Sequence, residues 1–129
     1  MTPAPTPFNA RSYASRVLRA EASSLAVVAD RLDDNFDAVV AMLFRCRGRV
    51  AVVGVGKSAD VGQKITGTLN STGTRAYTLD ATRAIHGDLG MVHPDDVALL
   101  LSHSGESDEL VRLLPSLRRL SAGVAAISG

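Results

Sequence analysis

VALLLSHSGESDEL, residues 97–110, is the stretch that decides the fold, because within it a strand passes directly into a helix. VALLLS (97–102) is an unbroken apolar run, which is typical of a strand buried on both faces of a parallel sheet. Leucines at helical spacing begin at Leu110, after the polar segment SHSGES (102–107). The stretch therefore predicts a βα unit with a polar loop at the carboxyl end of its strand.

The same alternation of strand and helix patterns continues along the chain. RVAVVGVG, RAYTL and GVAAIS predict further strands near 50–55, 75–79 and 123–128. Helical spacing separates the strands at 61–69 and 110–120, although Pro115 is expected to bend the second helix or displace its start. Residues 80–96 show no period and are predicted to form one long loop. The expected result is a three-layer αβα domain with right-handed βαβ units and a sheet of four parallel strands.

Helical patterns precede this core. Residues 1–9 are Pro-rich and are predicted to be a flexible extension. One helix is predicted over 10–31, and a second is expected to begin at Asp33-Asp34 and to stop at Gly48. The domain is thus expected to span 10–129, with N-terminal helices at 10–47 and a βα core at 48–129.

The last predicted strand ends at Ser128, one residue before the chain does. A parallel sheet needs cover on both faces. We therefore expect the fold to be incomplete at its C-terminus. The N-terminal helices, a partner chain or further residues of a longer protein would supply the cover.

Composition excludes several classes of function. The 129 residues carry a net charge of +1, only 4% are aromatic and none is Trp, which argues against nucleic acid as a partner. No apolar run approaches the roughly 20 residues that span a bilayer, so no membrane partner is expected. Cys46 is the only cysteine, which fits a reducing compartment and predicts a cytoplasmic protein.

The glycine-rich loop GVGKSA, residues 54–59, has three interpretations. A P-loop would need a glycine at position 51, where the chain has Ala51, so that motif is absent. The spacing Gly54-x-Gly56-x-x-Ala59 fits a dinucleotide fingerprint, with Asp80 placed where a ribose-binding acid could be. A tight βα turn capped by Ser58 fits equally well, and the loop alone does not decide between them.

The second loop, residues 102–107, favours a phosphate. Ser102, Ser104 and Ser107 offer three hydroxyls where a helix N-cap needs only one, and Gly105 lets the backbone approach a ligand closely. Lys57, in the first loop, would add a positive charge. A small phosphorylated ligand held between the two loops is a simpler account than a dinucleotide.

Four motifs in order carry a resemblance to a known family: GRVAVVGVGKS (48–58), STGTRAY (71–77), HGDLGMV (86–92) and SHSGESDEL (102–110). Over about 33–129 the chain resembles the sugar isomerase (SIS) domain, and within it the arabinose-5-phosphate isomerase family. The resemblance implies a flavodoxin-like sheet and the interconversion of ribulose 5-phosphate and arabinose 5-phosphate without a cofactor. It also implies a homo-oligomer, dimer or tetramer, with sites near subunit interfaces.

The resemblance also implies roles for individual residues. Lys57, His86 and Glu109 are expected to be catalytic, and no metal is expected. The expected contacts to the sugar phosphate are Gly56, Ser58, Ser102, His103, Ser104, Gly105, Glu106 and Ser107. His86 lies in a predicted loop rather than on an apolar face, and an imidazole can both accept and donate a proton, which suits proton transfer. Glu106 and Glu109 also complement a helix dipole, and for Glu106 we favour that interpretation over catalysis.

The sequence departs from the family pattern in three places. Where the family has His-Pro-Gly-Glu-Ala, residues 80–84 read Asp-Ala-Thr-Arg-Ala, and Ala59-Asp60 replaces Gly-His after GKS. Family members also continue with a further strand, a Lys-Glu-rich loop, another histidine and usually paired CBS domains. The catalytic set of an isomerase is therefore expected to be incomplete in this chain. A non-catalytic phosphosugar-sensing module is the alternative.

Overall fold

The computed structural model describes residues 8–129, which form two compact units divided between Asp37 and Ala38. The first unit contains α1 (Ala10–Asp30), which confirms the helix predicted at 10–31. Its N-cap is Asn9, whose side-chain oxygen accepts the backbone N–H of Ser12 at 3.0 Å. Most of the predicted extension, 1–9, lies outside the described residues.

The second predicted helix, α2 (Asp34–Phe44), is shorter than expected. It ends before Arg45, where the chain turns and the N–H of Cys46 bonds to the carbonyl of Leu43 at 3.2 Å. Gly48 is not its stop signal, because that glycine lies beside the backbone of Asp95 instead.

Four parallel strands form the sheet and confirm the predicted fold class. They are β1 (Val50–Gly54), β2 (Ala76–Asp80), β3 (Val97–Ser102) and β4 (Gly123–Ser128). Their order is β2-β1-β3-β4. The chain therefore adds β2 on one side of β1 and then adds β3 and β4 on the other side, so the strand order switches between β1 and β3. Every residue of β1 is buried, as its continuous apolar sequence predicts for a central strand.

Helices cover both faces of the sheet. On one face, α4 (Ala81–Ile85) and α5 (Asp108–Leu120) pack their apolar residues on Ala51, Val53 and Leu100. On the other, α3 (Lys57–Ser71) and the second half of α2 pack on Val50, Val52 and Leu99. The last strand is less buried than its apolar sequence predicts. In β4 only Ala125 is buried, because β4 is an edge strand.

Residues 80–96, predicted to be one loop, contain two short elements. Asp80 caps α4, its carboxylate accepting the N–H of Arg83 at 3.0 Å, and a 3-10 helix follows at Asp88–Met91. Both elements are too short to show a period. Pro115 neither displaces nor ends α5, which runs through it. The carbonyl of Val111, which loses its helical partner there, belongs to an exposed residue.

At the amino ends of the strands, a buried carboxylate joins β1, β2 and β3. Asp96 is 1% exposed and accepts the N–H groups of Arg49 (2.8 Å) and His93 (3.0 Å) and the hydroxyl of Tyr77 (3.1 Å). The Arg49 guanidinium lies 3.3 Å from the same carboxylate and 4.2 Å from the centroid of the Tyr77 ring. Burial and the Asp96 carboxylate raise the pKa of Tyr77, so its hydroxyl stays a donor.

Candidate functional site

An open cleft of about 420 Å³ lies at the carboxyl ends of β1, β3 and β4. After β1 the chain continues to one face of the sheet, and after β3 it continues to the other face. A crevice therefore opens between the carboxyl ends of these two neighbouring strands. Such a switch point is where open α/β sheets bind ligands. The residues that line the cleft are Lys57, Ser58, Val61, Leu101, Ser102, His103, Ile127, Ser128 and Gly129.

The loop after β1 brings Lys57 and Ser58 to this cleft. A Cβ on Gly54 would lie 2.9 Å from the backbone nitrogen of Ala59, so only glycine lets α3 start this close to the strand. Gly56 turns the chain with a φ of 53°, and α3 begins at Lys57. The predicted cap at Ser58 is wrong, because Ser58 lies inside the helix.

The loop after β3 is organised by its own hydroxyls. The Ser102 and Ser107 hydroxyls are 3.0 Å apart, and the N–H of Gly105 donates to Ser102 Oγ at 3.0 Å. The N–H of Glu106 donates to Ser104 Oγ at 3.2 Å, and Gly105 has a φ of 71°. Residues 102–107 therefore form a tight loop in which the Ser102 hydroxyl contacts both Gly105 and Ser107.

The loop leaves the N-terminus of α5 open. Ser107 is the N-cap residue, but across the described residues its hydroxyl contacts Ser102 and caps no backbone N–H group. The first N–H groups of a helix have no partner within the helix, and the helix dipole is positive there. This end of α5 can therefore hold an anion such as a phosphate, with Ser102 joining it to the cleft.

His103 ties the loop to the edge of the sheet. Its carbonyl accepts the N–H of Gly129 at 3.0 Å, in line with the register that pairs Ser102 with Ser128. Val61, Leu101 and Ile127 supply an apolar wall that the sequence analysis missed. The register could have revealed it, because parallel pairing of β3 with β4 places Ile127 beside Leu101.

Two of the expected catalytic residues do not line the cleft. His86 is the exposed C-cap residue of α4, and Glu109 lies partly buried in the first turn of α5. Asp80, which the dinucleotide interpretation assigned to a ribose, is the N-cap residue of α4 and accepts the N–H of Arg83 with one carboxylate oxygen. Within residues 8–129 no cluster of three or more His, Cys, Asp or Glu side chains could hold a metal ion.

The fold and the site define a class of protein, a doubly wound α/β domain with a crevice at its switch point that has serine and lysine side chains beside an apolar wall. Residues 42–129 match the family model of the SIS domain. The chain belongs to the SIS domain family.

Its relatives include sugar-phosphate enzymes. The arabinose 5-phosphate isomerase KdsD of Escherichia coli strain K12 is 39% identical over 122 residues, which cover 95% of this chain and 37% of that protein. KdsD of Yersinia pestis is 43% identical over 104 residues, 81% of this chain and 32% of that protein. A structure of an Escherichia coli CFT073 protein in complex with A5P superposes with a TM-score of 0.80 at 36% identity. The superposition covers 94% of this chain and 65% of the Escherichia coli CFT073 chain.

The chain thus spans about a third of the length of the curated relatives it matches. No helix among residues 8–129 is both long and apolar enough to cross a membrane.

Proposed function

We propose that the chain is the phosphosugar-binding domain of an aldose–ketose isomerase that interconverts D-ribulose 5-phosphate and D-arabinose 5-phosphate. The observation that carries this proposal is the Ser102–Ser107 loop, whose hydroxyl pair leaves the N-terminus of α5 free beside a cleft containing Lys57. The match to the SIS family and to a relative in complex with A5P supports the same ligand class.

The phosphate is expected at the N-terminus of α5. There the helix N–H groups can donate hydrogen bonds to its oxygens, together with the Ser104 hydroxyl and the one hydroxyl of the Ser102–Ser107 pair whose proton is not shared within the loop. The sugar would extend from Ser102 toward Lys57 and Ser58, in the cleft. Gly56, His103, Gly105 and Glu106 are proposed as the remaining contacts, on the strength of their positions in the two loops.

The reaction moves a proton between two adjacent carbons through an enediol, so it needs a base and a proton donor for the oxygens. Lys57 lines the cleft, and its ammonium is proposed to stabilise the negative charge that develops on a sugar oxygen. Glu109, in the first turn of α5, is proposed as the proton acceptor. His86 is proposed as the second proton carrier, because an imidazole can both accept and donate a proton.

The setting of the enzyme is part of the proposal. Lone Cys46 fits a reducing compartment, and we place the protein in the cytoplasm. Self-association is expected because α1 leaves apolar side chains uncovered, Leu18 at 65% and Leu25 at 71% exposure. Cell fractionation and light scattering test these two points, and a monomer at micromolar concentration would contradict the second.

Titration calorimetry with arabinose 5-phosphate tests the ligand. Ser102→Ala removes the shared hydroxyl of the loop and should weaken binding roughly 10- to 150-fold, the effect of losing one hydrogen bond to a charged group. Ser116→Ala makes the same chemical change in the middle of α5, outside the cleft, and should bind as the wild type does.

Three outcomes separate the candidate functions. Turnover of ribulose 5-phosphate in a coupled assay supports the isomerase. Binding without turnover would contradict catalysis and leave a phosphosugar-sensing module. No binding of any pentose or hexose phosphate, with binding of NAD that Asp80→Asn abolishes, would replace the proposal by a dinucleotide site.

A further inference from the structure

A second cavity, of about 330 Å³, lies at the amino end of the sheet, opposite the cleft. Its walls come from the end of α2, the link to β1, the start of β3 and the link from α5 to β4. The residues that line it are Met42, Arg45, Cys46, Arg47, Asp95, Val97 and Ala122. All of them belong to the second compact unit.

Two cations and one carboxylate line the cavity, Arg45, Arg47 and Asp95. Among residues 8–129, neither Arg45 nor Arg47 forms an ion pair with a carboxylate, whereas the Asp95 carboxylate lies 3.7 Å from the imidazole of His93. The two guanidinium groups therefore outnumber the single carboxylate of the lining. Arg49 differs, because Asp96 neutralises it at 3.3 Å.

The helix dipole accounts for only one of these cations. Arg45 directly follows α2, where the negative end of the dipole attracts a cation. That attraction falls off beyond the last turn. Arg47 lies in the link before β1, beyond that last turn, so its place beside Arg45 at this cavity needs another reason.

Short contacts hold the walls of the cavity in place. The N–H of Gly48 donates to the carbonyl of Asp95 at 2.9 Å, and a Cβ on Gly48 would lie 2.5 Å from that oxygen. The thiol of Cys46 lies 3.5 Å from the carbonyl oxygen of Arg49 and 3.6 Å from that of Asp95. The backbone of the cavity is therefore preformed, and a ligand would have to order only the exposed side chains of Arg45 and Arg47.

The lining defines the chemistry of the ligand. Guanidinium groups bind phosphate oxygens through paired hydrogen bonds, and Met42, Val97 and Ala122 offer an apolar surface beside them. We propose that this cavity binds a small organic monophosphate, with its phosphate on Arg45 and Arg47 and its organic part on the apolar wall. This site is separate from the cleft and does not depend on the function proposed for it.

Phenyl phosphate is a suitable probe, titrated into the ¹⁵N-labelled chain and followed by NMR. The backbone amides of residues 45–48 and 95–97 should shift, and inorganic phosphate should bind at least about tenfold more weakly because it cannot use the apolar wall. The double variant Arg45→Gln/Arg47→Gln should weaken phenyl phosphate binding at least about tenfold.

A matched control removes the same charge elsewhere. Lys64→Gln/Arg112→Gln changes two exposed cations that do not line the cavity, and it should leave phenyl phosphate binding unchanged. Thermal melting confirms that both double variants fold. Absent shifts at the amino end, equal losses in the two double variants, or equal affinity for inorganic phosphate would each overturn the proposal.

Discussion

Replacing Asp96 by Asn should strongly destabilise the domain. The carboxylate of Asp96 accepts hydrogen bonds from the Arg49 and His93 N–H groups and from the Tyr77 hydroxyl, and it is the only carboxylate paired with the Arg49 guanidinium among residues 8–129. Asn keeps one acceptor oxygen but turns an NH₂ group toward donors. It also leaves the guanidinium without its counter-charge.

Because the Arg49 side chain is 41% exposed, most of the cost comes from the buried donors that Asn leaves unsatisfied, about 1–3 kcal/mol for each. A small domain is stable by only about 5–15 kcal/mol, so the change removes a large fraction of that stability. With a urea dependence near 2 kcal/mol per molar, the midpoint of unfolding should fall by roughly 2 M.

Urea unfolding followed by circular dichroism measures this effect, with Asp95→Asn as the control. Asp95 is adjacent in sequence, but its side chain is 60% exposed and pairs only with His93 in the described part of the chain. Its loss should change the free energy of unfolding by no more than about 0.5 kcal/mol. If Asp96→Asn were no less stable than Asp95→Asn, the buried network would not hold the strands together.

The same carboxylate makes stability depend on pH. Burial alone would raise the pKa of Asp96, but hydrogen bonds from His93, Arg49 and Tyr77 and the charge of Arg49 lower it. A carboxyl group whose pKa is lower folded than unfolded stabilises the protein above the unfolded pKa, about 3.9. That contribution is lost as the pH falls through the folded pKa. The wild type should therefore lose stability below about pH 4, and its advantage over Asp96→Asn should narrow there.

Three further changes probe the site and the core. Lys57→Ala should lower turnover, because the charge that develops on a sugar oxygen loses its cation, and His86→Ala should lower turnover roughly 10²–10⁴-fold and leave binding intact; calorimetry measures the binding and a coupled assay the turnover. Gly54→Ala should cost about 1–3 kcal/mol and weaken phosphosugar binding, because its Cβ would displace the start of α3; unaltered melting and binding would count against that contact. Leu117→Ala, at a fully buried position, should cost about 2–5 kcal/mol in urea unfolding, and a smaller loss would place Leu117 outside the core.

The strands were predictable because each is an apolar run with polar residues at its ends. β3 matches the predicted 97–102, and β1 ends at Gly54, one residue earlier than expected. The short α4 was missed because five residues show no period. Its one signal was Asp80, a good N-cap residue that the dinucleotide interpretation assigned to a ribose.

The residues of the site were predictable only where neighbours in space are also neighbours in sequence. Ser102–Ser107 is a continuous loop, so its group of hydroxyls could be identified from its composition alone. Ile127 and Ser128 reach the cleft through the pairing of β4 with β3, which no local pattern reveals. The buried role of Asp96 was missed for a similar reason, because Asp95 and Asp96 are the same residue type and only the structure shows which one faces inward.

The most direct test of the central claim is an NMR titration of the ¹⁵N-labelled chain with arabinose 5-phosphate. If the phosphate binds at the N-terminus of α5, the largest amide shifts should occur at 104–110, with smaller shifts at 56–59. Saturation should remove the response of these amides to added inorganic phosphate. No shifts at 104–110, or shifts confined to other parts of the chain, would contradict a phosphosugar site in this cleft.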